Sequence, residues 1–260
     1  MAHQHYRTKG FVLAKRNSGE ADQIFTLYTQ DFGKIEVVGR AIRKITSKLK
    51  ASIDVFYFIE VEFIQGKNRK TLTDAIIIDK FLELRKNSEA LACVGQMAGV
   101  VSRLILQEKS DKEIWQLLSM VFQRLNYKPS PKESKLPTGQ VTINHKLVLH
   151  YFLWNFFSLL GYSPELYSCP ICSKKLLPET FFLSPHYGGV ICWQCCDKAK
   201  KESQQFLSSE IMVDSVKLIR FFVKEPIEKV ERLSIWEKDL QNLNKAFDIY
   251  FSFLAEICGG

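Results

Sequence analysis

The chain has 260 residues, of which 46% are hydrophobic and 25% charged, and its formal net charge is +8. This composition is typical of globular proteins and excludes a largely disordered chain, while the length allows two modest domains or one large one. The excess of positive charge is a weak indication of a polyanionic partner. The most apolar stretch, residues 148–160, contains His150, Asn155 and Ser158 and is too short to span a bilayer, so we expect no membrane segment.

Short β-strands are predicted through the first 80 residues. They are expected at residues 10–13, 24–29, 35–38, 54–64 and 71–78. The fourth is the clearest, because Val55, Tyr57, Ile59, Val61 and Phe63 occupy every second position. About five short strands indicate a small barrel, and the OB-fold is the commonest such barrel among nucleic-acid-binding proteins.

Helices are predicted for the rest of the chain. They are expected at residues 82–107, 110–125, 144–160, 210–225 and 240–257. Ser110 and Glu113 resemble a capping box, and Ser209 is a candidate cap. An exposed loop is predicted from the prolines Pro129, Pro131 and Pro137. We therefore predict an α+β multidomain protein with an OB-fold barrel at residues 1–80 and a helical domain at residues 81–260, into which a four-cysteine module is inserted at residues 165–200.

Four of the seven cysteines form two C-x2-C motifs. Cys169 and Cys172 form the first motif and Cys192 and Cys195 the second, with 19 residues between the two. This spacing is typical of a zinc site in which two turns, from separate hairpins, each present two sulfurs to the ion. Because a catalytic zinc keeps one position open for water, four thiolates predict one structural zinc ion per chain.

Alternatives to this ligand set stay open. Cys196 directly follows Cys195 and could replace it, and His186 is a further candidate, although an exposed loop histidine is the simpler interpretation. The two motifs could instead be redox-active or hold no metal. The odd cysteine count and the isolated Cys93 and Cys258 argue against a disulfide framework. Together with a start that lacks the apolar run of a secretory leader, this predicts a cytoplasmic protein.

A basic segment follows the third predicted strand. Over residues 34–50 six cations are opposed by one carboxylate, Glu36, which gives a local net charge of +5. The candidate DNA-binding residues are Lys15, Arg16, Lys34, Arg40, Arg43, Lys44, Lys48 and Lys50. Such charge neutralises phosphates and releases condensed counterions without sequence preference. The alternative is a basic face that is merely solvated.

Aromatic residues of the same predicted barrel could take part in binding. Phe56 or Phe58 could stack on bases, as aromatic side chains do in proteins that bind single strands. A position in the barrel core is the more ordinary interpretation of both.

The chain as a whole resembles the RecO family of bacterial DNA-repair and recombination mediators. The amino-terminal part of the resemblance consists of GFVL (10–13), GEAD (19–22), TLYT (26–29), GKI (33–35), GRAIRK (39–44) and SKL (47–49). LLGYSP (159–164), which leads to Cys169 and Cys172, and the segment 184–192 are similar to the entry and exit of the family's zinc module. No single motif is decisive, but their order along nearly the whole chain is specific.

The resemblance implies an OB-fold domain, a helical domain and a zinc module. It also implies binding of single- and double-stranded DNA, annealing of complementary strands and, with RecR, loading of RecA onto strands covered by single-stranded DNA-binding protein. RecF is a further candidate partner, and association with the nucleoid during repair is implied. The family's basic face maps onto Arg40, Arg43, Lys44 and Lys48, and its zinc ligands map onto the two C-x2-C motifs. Some members lack these cysteines, which supports a structural role for zinc.

No catalytic constellation is apparent in the sequence. The five histidines lie outside any metal or nucleophile motif, and His150, in an apolar helix, is interpreted as a core residue. No glycine-rich phosphate loop is present, so we expect no ATP hydrolysis. Because the sequence shows no polar constellation that could form an active site, we expect the protein not to be an enzyme. The alternative function is that of a zinc-ribbon adaptor that binds proteins and does not contact DNA directly.

Overall fold

The computed structural model describes residues 4–128, 143–178, 180–202 and 206–259. Its backbone contacts divide the chain into two compact units, Met1–Val141 and Thr142–Gly260. The first unit contains a β-barrel followed by helices, and the second contains helices and a small sheet. No helix within the described residues is both long and apolar enough to cross a membrane. The proline-rich loop predicted at Pro129, Pro131 and Pro137 lies outside the described residues.

The strands of the first unit form the closed barrel that the sequence predicts. They are β1 His5–Ser18, β2 Asp22–Thr29, β3 Gly33–Gly39, β4 Phe58–Gln65 and β5 Lys70–Asp79. Their order around the barrel is β1-β2-β3-β5-β4, and β4 pairs with β1. The barrel closes through a short parallel contact between β3 and β5, at Val37–Lys70 and Val38–Thr71. This is a small OB-like barrel, which confirms the predicted fold class.

Alternate residues of β2, β3 and β4 fill the barrel core. In β4, Ile59, Val61 and Phe63 are each no more than 1% exposed. The strand begins at Phe58, four residues later than its alternation predicts. The preceding residues form a turn instead, because Phe56 has a left-handed φ of 62° and the N–H of Tyr57 donates to the carbonyl of Asp54 at 3.2 Å.

Helices complete the first unit. They are α1 Leu82–Arg85, α2 Ser88–Leu104 and α3 Lys112–Leu125. The single helix predicted over residues 82–107 is thus divided, and Asn87 caps α2 by accepting the N–H of Ala90 at 3.0 Å. The residue that caps α3 is Asp111, not Ser110, since the Asp111 carboxylate accepts two N–H groups of the first turn.

The helices of the first unit are attached to the barrel through aromatic packing. Phe11 of β1 stacks against Phe122 of α3 with ring centroids 4.7 Å apart and against Phe58 of β4 at 4.8 Å. Phe81, which precedes α1, lies 6.3 Å from the same ring. The change from strands to helices therefore occurs close to residue 80, within one compact unit. The domain boundaries expected at residues 80, 165 and 200 stay predictions.

The second unit combines helices with a three-stranded sheet. Its elements are α4 His145–Leu159, β6 Phe181–Ser184, β7 Gly189–Cys192, α5 Trp193–Glu202, β8 Ser209–Ile211, α6 Val213–Lys224, α7 Ile227–Val230 and α8 Glu237–Gly259. The predicted cap at Ser209 is wrong, because Ser209 belongs to β8, which pairs with β6, and α6 begins only after Met212. The sheet order is β7-β6-β8.

α4 is a buried helix, as its sequence predicts. His150 is 1% exposed, and its Nε2 lies 3.0 Å from Oδ1 of Asn244 on α8. Burial lowers the pKa of His150 to about 4. The interpretation of His150 as a core residue is confirmed.

Candidate metal centre and basic loop

The first C-x2-C motif lies in a tight turn ahead of β6. The N–H of Cys169 donates to the carbonyl of Lys174 at 2.9 Å, and the N–H of Ser173 donates to the carbonyl of Cys169 at 2.8 Å. Ser173 has a left-handed φ of 60°, which completes the turn. Cys169 is buried and Cys172 is half-buried, so the turn directs one sulfur inward and leaves the other nearer the surface.

The second C-x2-C motif joins a strand to a helix. Cys192 is the last residue of β7, and Cys195 lies in the first turn of α5. The expectation that both motifs lie in hairpin turns is therefore corrected for this one. The N–H groups of a helix's first turn lack intrahelical partners and carry partial positive charge, which favours thiolates at this position.

The two motifs bring four sulfurs together. The Sγ atoms of Cys169, Cys172, Cys192 and Cys195 all lie within 4.8 Å of one another. The Sγ atoms of Cys172 and Cys192 are 3.9 Å apart. Four thiols around one point form a donor set that could hold a metal ion, and they would leave no coordination position for a substrate.

The other candidate ligands lie elsewhere. Cys196 is buried beside the cluster, but its Sγ is 3.7 Å from Oγ of Ser208. His186 is exposed, and its ring packs against Tyr187 and Phe253. Of the two adjacent cysteines, the structure thus places Cys195 in the cluster.

The thiols of the cluster differ in pKa. Burial opposes charge on Cys169, but N–H groups of Cys172, Cys192 and Ile171 donate to its sulfur and hold its pKa at about 7. Burial raises the pKa of Cys192, and burial together with the neighbouring sulfurs raises the pKa of Cys195. Several thiolates at this spacing repel one another unless a cation offsets their charge. Metal binding is therefore expected to release protons.

Glu165 fixes the approach of the chain to the first motif. Its Oε1 accepts the N–H groups of Tyr167 at 2.7 Å and Ser168 at 3.0 Å. Its backbone carbonyl accepts the N–H of Val190 in β7 at 2.8 Å. A Cβ atom at Gly189 would lie only 2.4 Å from that carbonyl oxygen, so this contact requires glycine.

Arg220 of α6 attaches the same segment to the helices of the second unit. Its guanidinium donates to the carbonyl of Leu166 and lies over the ring of Tyr167, 4.5 Å from the centroid. Sequence reasoning missed Glu165 and Arg220 because neither belongs to a motif, and their roles depend on residues distant in sequence.

The segment of residues 40–50, called the basic loop below, is the first part of the connection between β3 and β4. Its exposed cations are Arg40, Arg43, Lys44, Lys48 and Lys50. Ile42 is buried in the barrel core and anchors the loop. The N–H of Ala41 donates to Oδ1 of Asp22 at 2.7 Å, and Nη1 of Arg43 donates to the carbonyl of Glu20 at 3.0 Å. The cations thus project from a segment with a defined backbone.

The remaining predicted DNA-binding residues lie on strands and have protein partners. Nζ of Lys15 is 2.6 Å from Oδ1 of Asp54, and Nη2 of Arg16 is 3.0 Å from Oε2 of Glu36. Nζ of Lys34 donates to the carbonyl of Ser102 at 2.6 Å, and burial lowers its pKa. The two ion pairs reduce the charge that Lys15 and Arg16 offer to a ligand, and the hydrogen bond of Lys34 occupies one of its donors. The assignment of all eight residues to DNA stays a prediction.

A cleft of about 460 Å³ lies along β3 and the start of β5. Its basic lining residues are Arg16, Lys34, Arg69 and Lys70. Val38, the penultimate residue of β3, also lines it. Lys70 is paired with Glu108 at 2.6 Å, whereas Arg69 is exposed in the turn before β5. The cleft therefore follows the strand that precedes the basic loop, and no residue of the loop is among its lining residues.

The two candidate stacking residues pack within the first unit. The ring of Phe58 stacks on Phe11 and lies 6.0 Å from Trp115 of α3. The half-buried Phe56 reaches Gly95 of α2. Both rings are half-buried and lie outside the core cluster of the barrel, so they are not the core residues of the ordinary interpretation. Stacking of either ring on bases stays a prediction.

Comparisons with known proteins find relatives along the whole chain. Family models described as "Recombination protein O N terminal" and "Recombination protein O C terminal" match residues 1–81 and 85–256. A protein of Dehalococcoides mccartyi named DNA repair protein RecO is 29% identical over 251 residues, which cover 96% of this chain and 91% of the relative. A protein of the same name from Roseiflexus sp. is 27% identical over 223 residues, covering 86% and 71%. Another from Acetivibrio thermocellus is 24% identical over 247 residues, covering 95% and 90%.

The matches agree with the structure in the order of their parts. The amino-terminal match ends where the barrel ends, and the carboxy-terminal match includes the helices and the four-cysteine cluster. The relatives share one name, which refers to DNA repair. The chain belongs to the RecO family of DNA repair proteins.

Proposed function

We propose that this protein is a non-catalytic mediator of DNA repair and homologous recombination. It binds single- and double-stranded DNA, anneals complementary strands and, with RecR, helps to load RecA onto strands covered by single-stranded DNA-binding protein. RecF is a further partner, and the protein works in the cytoplasm, at the nucleoid during repair. The observation that carries the proposal is the basic loop, which presents five exposed cations on an OB-like barrel in a RecO-family chain.

The basic loop and the cleft along β3 act together in this proposal. Arg43, Lys44 and Lys48 bind phosphates at the loop, and Arg69 extends the positive surface along the cleft. Each neutralised phosphate releases counterions, so the affinity is largely independent of sequence and falls as salt rises. A surface that neutralises two strands at once lowers their mutual repulsion, which favours annealing and requires no ATP.

We infer that the metal of the cysteine cluster is zinc with a structural role. Around a tetrahedral zinc ion with Zn–S bonds of about 2.3 Å, the sulfurs lie roughly 3.8 Å apart. The distance of 3.9 Å between the Sγ atoms of Cys172 and Cys192 fits this geometry. The ion would be held by Cys169, Cys172, Cys192 and Cys195. It would connect the first C-x2-C motif to the junction of β7 and α5.

A second candidate function is that of a zinc-ribbon adaptor that binds proteins and not DNA. It is favoured by apolar side chains that are exposed near the cysteines. Leu177 is 61% exposed and Trp193 is 49% exposed, and both line a shallow groove that also contains Lys174 and Lys175. The two functions differ in whether DNA binding belongs to the chain itself.

Binding of labelled single-stranded DNA over a series of salt concentrations separates the two functions. A mediator binds at low salt and loses affinity steeply as salt rises, whereas an adaptor does not bind even at low salt. Annealing of complementary strands is then measured without ATP, first on bare DNA and then on DNA coated with single-stranded DNA-binding protein, with and without RecR. A strict requirement for ATP would refute the mediator function.

A further inference from the structure

Ile45 is an exposed apolar side chain in the middle of the basic loop. It is 95% exposed, a larger fraction than that of any other large hydrophobic residue in the described ranges, and Trp236 follows at 75%. Single exposed apolar residues are common on protein surfaces and need no special explanation. The surroundings of Ile45 distinguish it from such residues.

The backbone of the loop presents Ile45 in a defined position. The N–H of Ser47 donates to the carbonyl of Lys44 at 3.1 Å, which closes a four-residue turn with Ile45 as its second residue. The preceding turn is closed by the N–H of Lys44 and the carbonyl of Ala41, also at 3.1 Å. Ile42 is buried in the barrel core at the base of these turns. A side chain held in this way loses little backbone freedom when it meets a ligand.

Exposed cations flank Ile45 on both sides. Arg43 and Lys44 precede it and Lys48 follows it, and all three are exposed. A nucleic acid strand offers matching chemistry, because its phosphates pair with cations while the faces of its bases are apolar. Apolar side chains, isoleucine among them, insert between neighbouring bases and interrupt their stacking in other nucleic-acid-binding proteins.

We propose that Ile45 inserts between neighbouring bases of a single DNA strand whose phosphates are bound by Arg43, Lys44 and Lys48. This rests on the proposed DNA binding and adds a contact that charge alone does not supply. A strand whose bases are separated at intervals is extended, and its pairing edges are accessible to a complementary strand. Ile45 thereby connects binding by the basic loop to strand annealing.

The test uses the full-length protein and a single-stranded oligonucleotide that carries 2-aminopurine between purines. The fluorescence of 2-aminopurine is quenched by stacking, so insertion of Ile45 next to it raises the signal. We expect the wild-type protein and Ile45→Leu to give this rise, and Ile45→Ala and Ile45→Ser to lose most of it. The affinity of Ile45→Ala should fall by about tenfold at most, because only part of one side chain leaves the contact. Ile45 packs against no core, so these variants should fold normally.

Leu82→Ala serves as the matched control, since Leu82 is an aliphatic side chain of the same unit that is 60% exposed. It should retain the full rise in fluorescence. A full rise with Ile45→Ala at saturating protein overturns the proposed insertion and leaves DNA binding intact. Absence of DNA binding by the wild-type protein overturns both proposals. Binding to anionic vesicles that Ile45→Ala abolishes, with an unchanged base signal, would replace the DNA contact with a lipid surface.

Discussion

The basic loop and the cysteine cluster differ in where their charged groups lie. The cations of the loop are exposed, and backbone hydrogen bonds and the buried Ile42 hold the segment that bears them. The sulfurs of the cluster lie within 4.8 Å of one another and are at least partly buried, so several of them can be ionised together only beside a cation. Charge that serves an external ligand can be altered without unfolding the chain, whereas charge that serves an internal ion is coupled to folding. Substitutions should therefore change binding in the loop and stability in the cluster.

The largest effect is expected from Cys172→Ser. Binding of a structural zinc ion contributes about 10 kcal/mol or more to the folding of a small metal module. Removal of one of four thiolates should release the metal and expose the backbone around the two C-x2-C motifs to solvent. Elemental analysis and hydrogen exchange of residues 165–200 measure the two changes. Binding of single-stranded DNA by the basic loop should persist.

Cys196→Ala is the matched control for this change. It removes a neighbouring buried thiol whose sulfur lies by Ser208, outside the cluster. The control should keep about one zinc ion per chain. The difference between the two regions would disappear if Cys172→Ser retained its zinc, or if Cys196→Ala lost it.

A smaller effect follows from the pH dependence of the second unit's core. Burial lowers the pKa of His150 from 6.5 to about 4. Below pH 6.5 the unfolded chain binds a proton that the folded protein excludes, so this residue lowers the free energy of unfolding as the pH falls. The loss reaches about 3 kcal/mol near pH 4, and the contribution of His150 vanishes above about pH 7.5. Urea unfolding at several pH values measures it.

His150→Gln isolates this contribution, because glutamine does not titrate and retains an amide near Asn244. The variant should show a shallower loss of stability between pH 6.5 and pH 4 than the wild type. Equal slopes would mean that His150 takes up its proton in the folded protein, so that this core tolerates charge as the surface does.

A loss of DNA affinity without a loss of stability is expected from Arg43→Glu combined with Lys44→Glu. Two exposed cations become anions, so phosphate contacts are replaced by repulsion. Affinity for single-stranded DNA should fall by about a hundredfold, and the salt dependence should become less steep. Fluorescence anisotropy measures the affinity, and the midpoint of thermal unfolding should be nearly unchanged.

Lys86→Glu combined with Lys112→Glu gives the same change in net charge on the helical part of the first unit. This control should weaken DNA binding only slightly. If both pairs weakened binding equally, affinity would follow net charge and not the basic loop.

Local patterns in the sequence predicted most of the fold. The alternation of Ile59, Val61 and Phe63 placed β4, and the turns between short apolar runs placed the other strands of the barrel. The two C-x2-C motifs predicted the four cysteines of the cluster. These predictions succeeded because each depends on residues a few positions apart, whose geometry the backbone fixes.

Features that depend on distant partners were missed. Ser209 resembles a helix cap, but β8 exists because β6 pairs with it from a remote part of the chain. Arg220 holds the carbonyl of Leu166, over fifty residues earlier in the sequence, and no motif marks it. Ile45 is a single apolar residue in a basic segment, and such a residue could equally be buried. Its exposure depends on the turns that the folded loop forms around it. Each of these features is a property of tertiary structure.

The smallest effect concerns the cap of α3, where a sequence motif and the structure disagree. The Asp111 carboxylate accepts the N–H groups of Glu113 at 2.9 Å and Ile114 at 3.0 Å, whereas the motif favours Ser110. Asp111→Ala should therefore lower the free energy of unfolding of the first unit by about 1 kcal/mol, and Ser110→Ala should leave it nearly unchanged. Hydrogen exchange of the amides of α3 measures both, and zinc content should be unaffected because the bonds that are lost lie within α3. A larger loss of stability with Ser110→Ala than with Asp111→Ala would show that Ser110 is the cap, as the motif predicts. Release of zinc by Asp111→Ala would show that the stabilities of the two regions are linked.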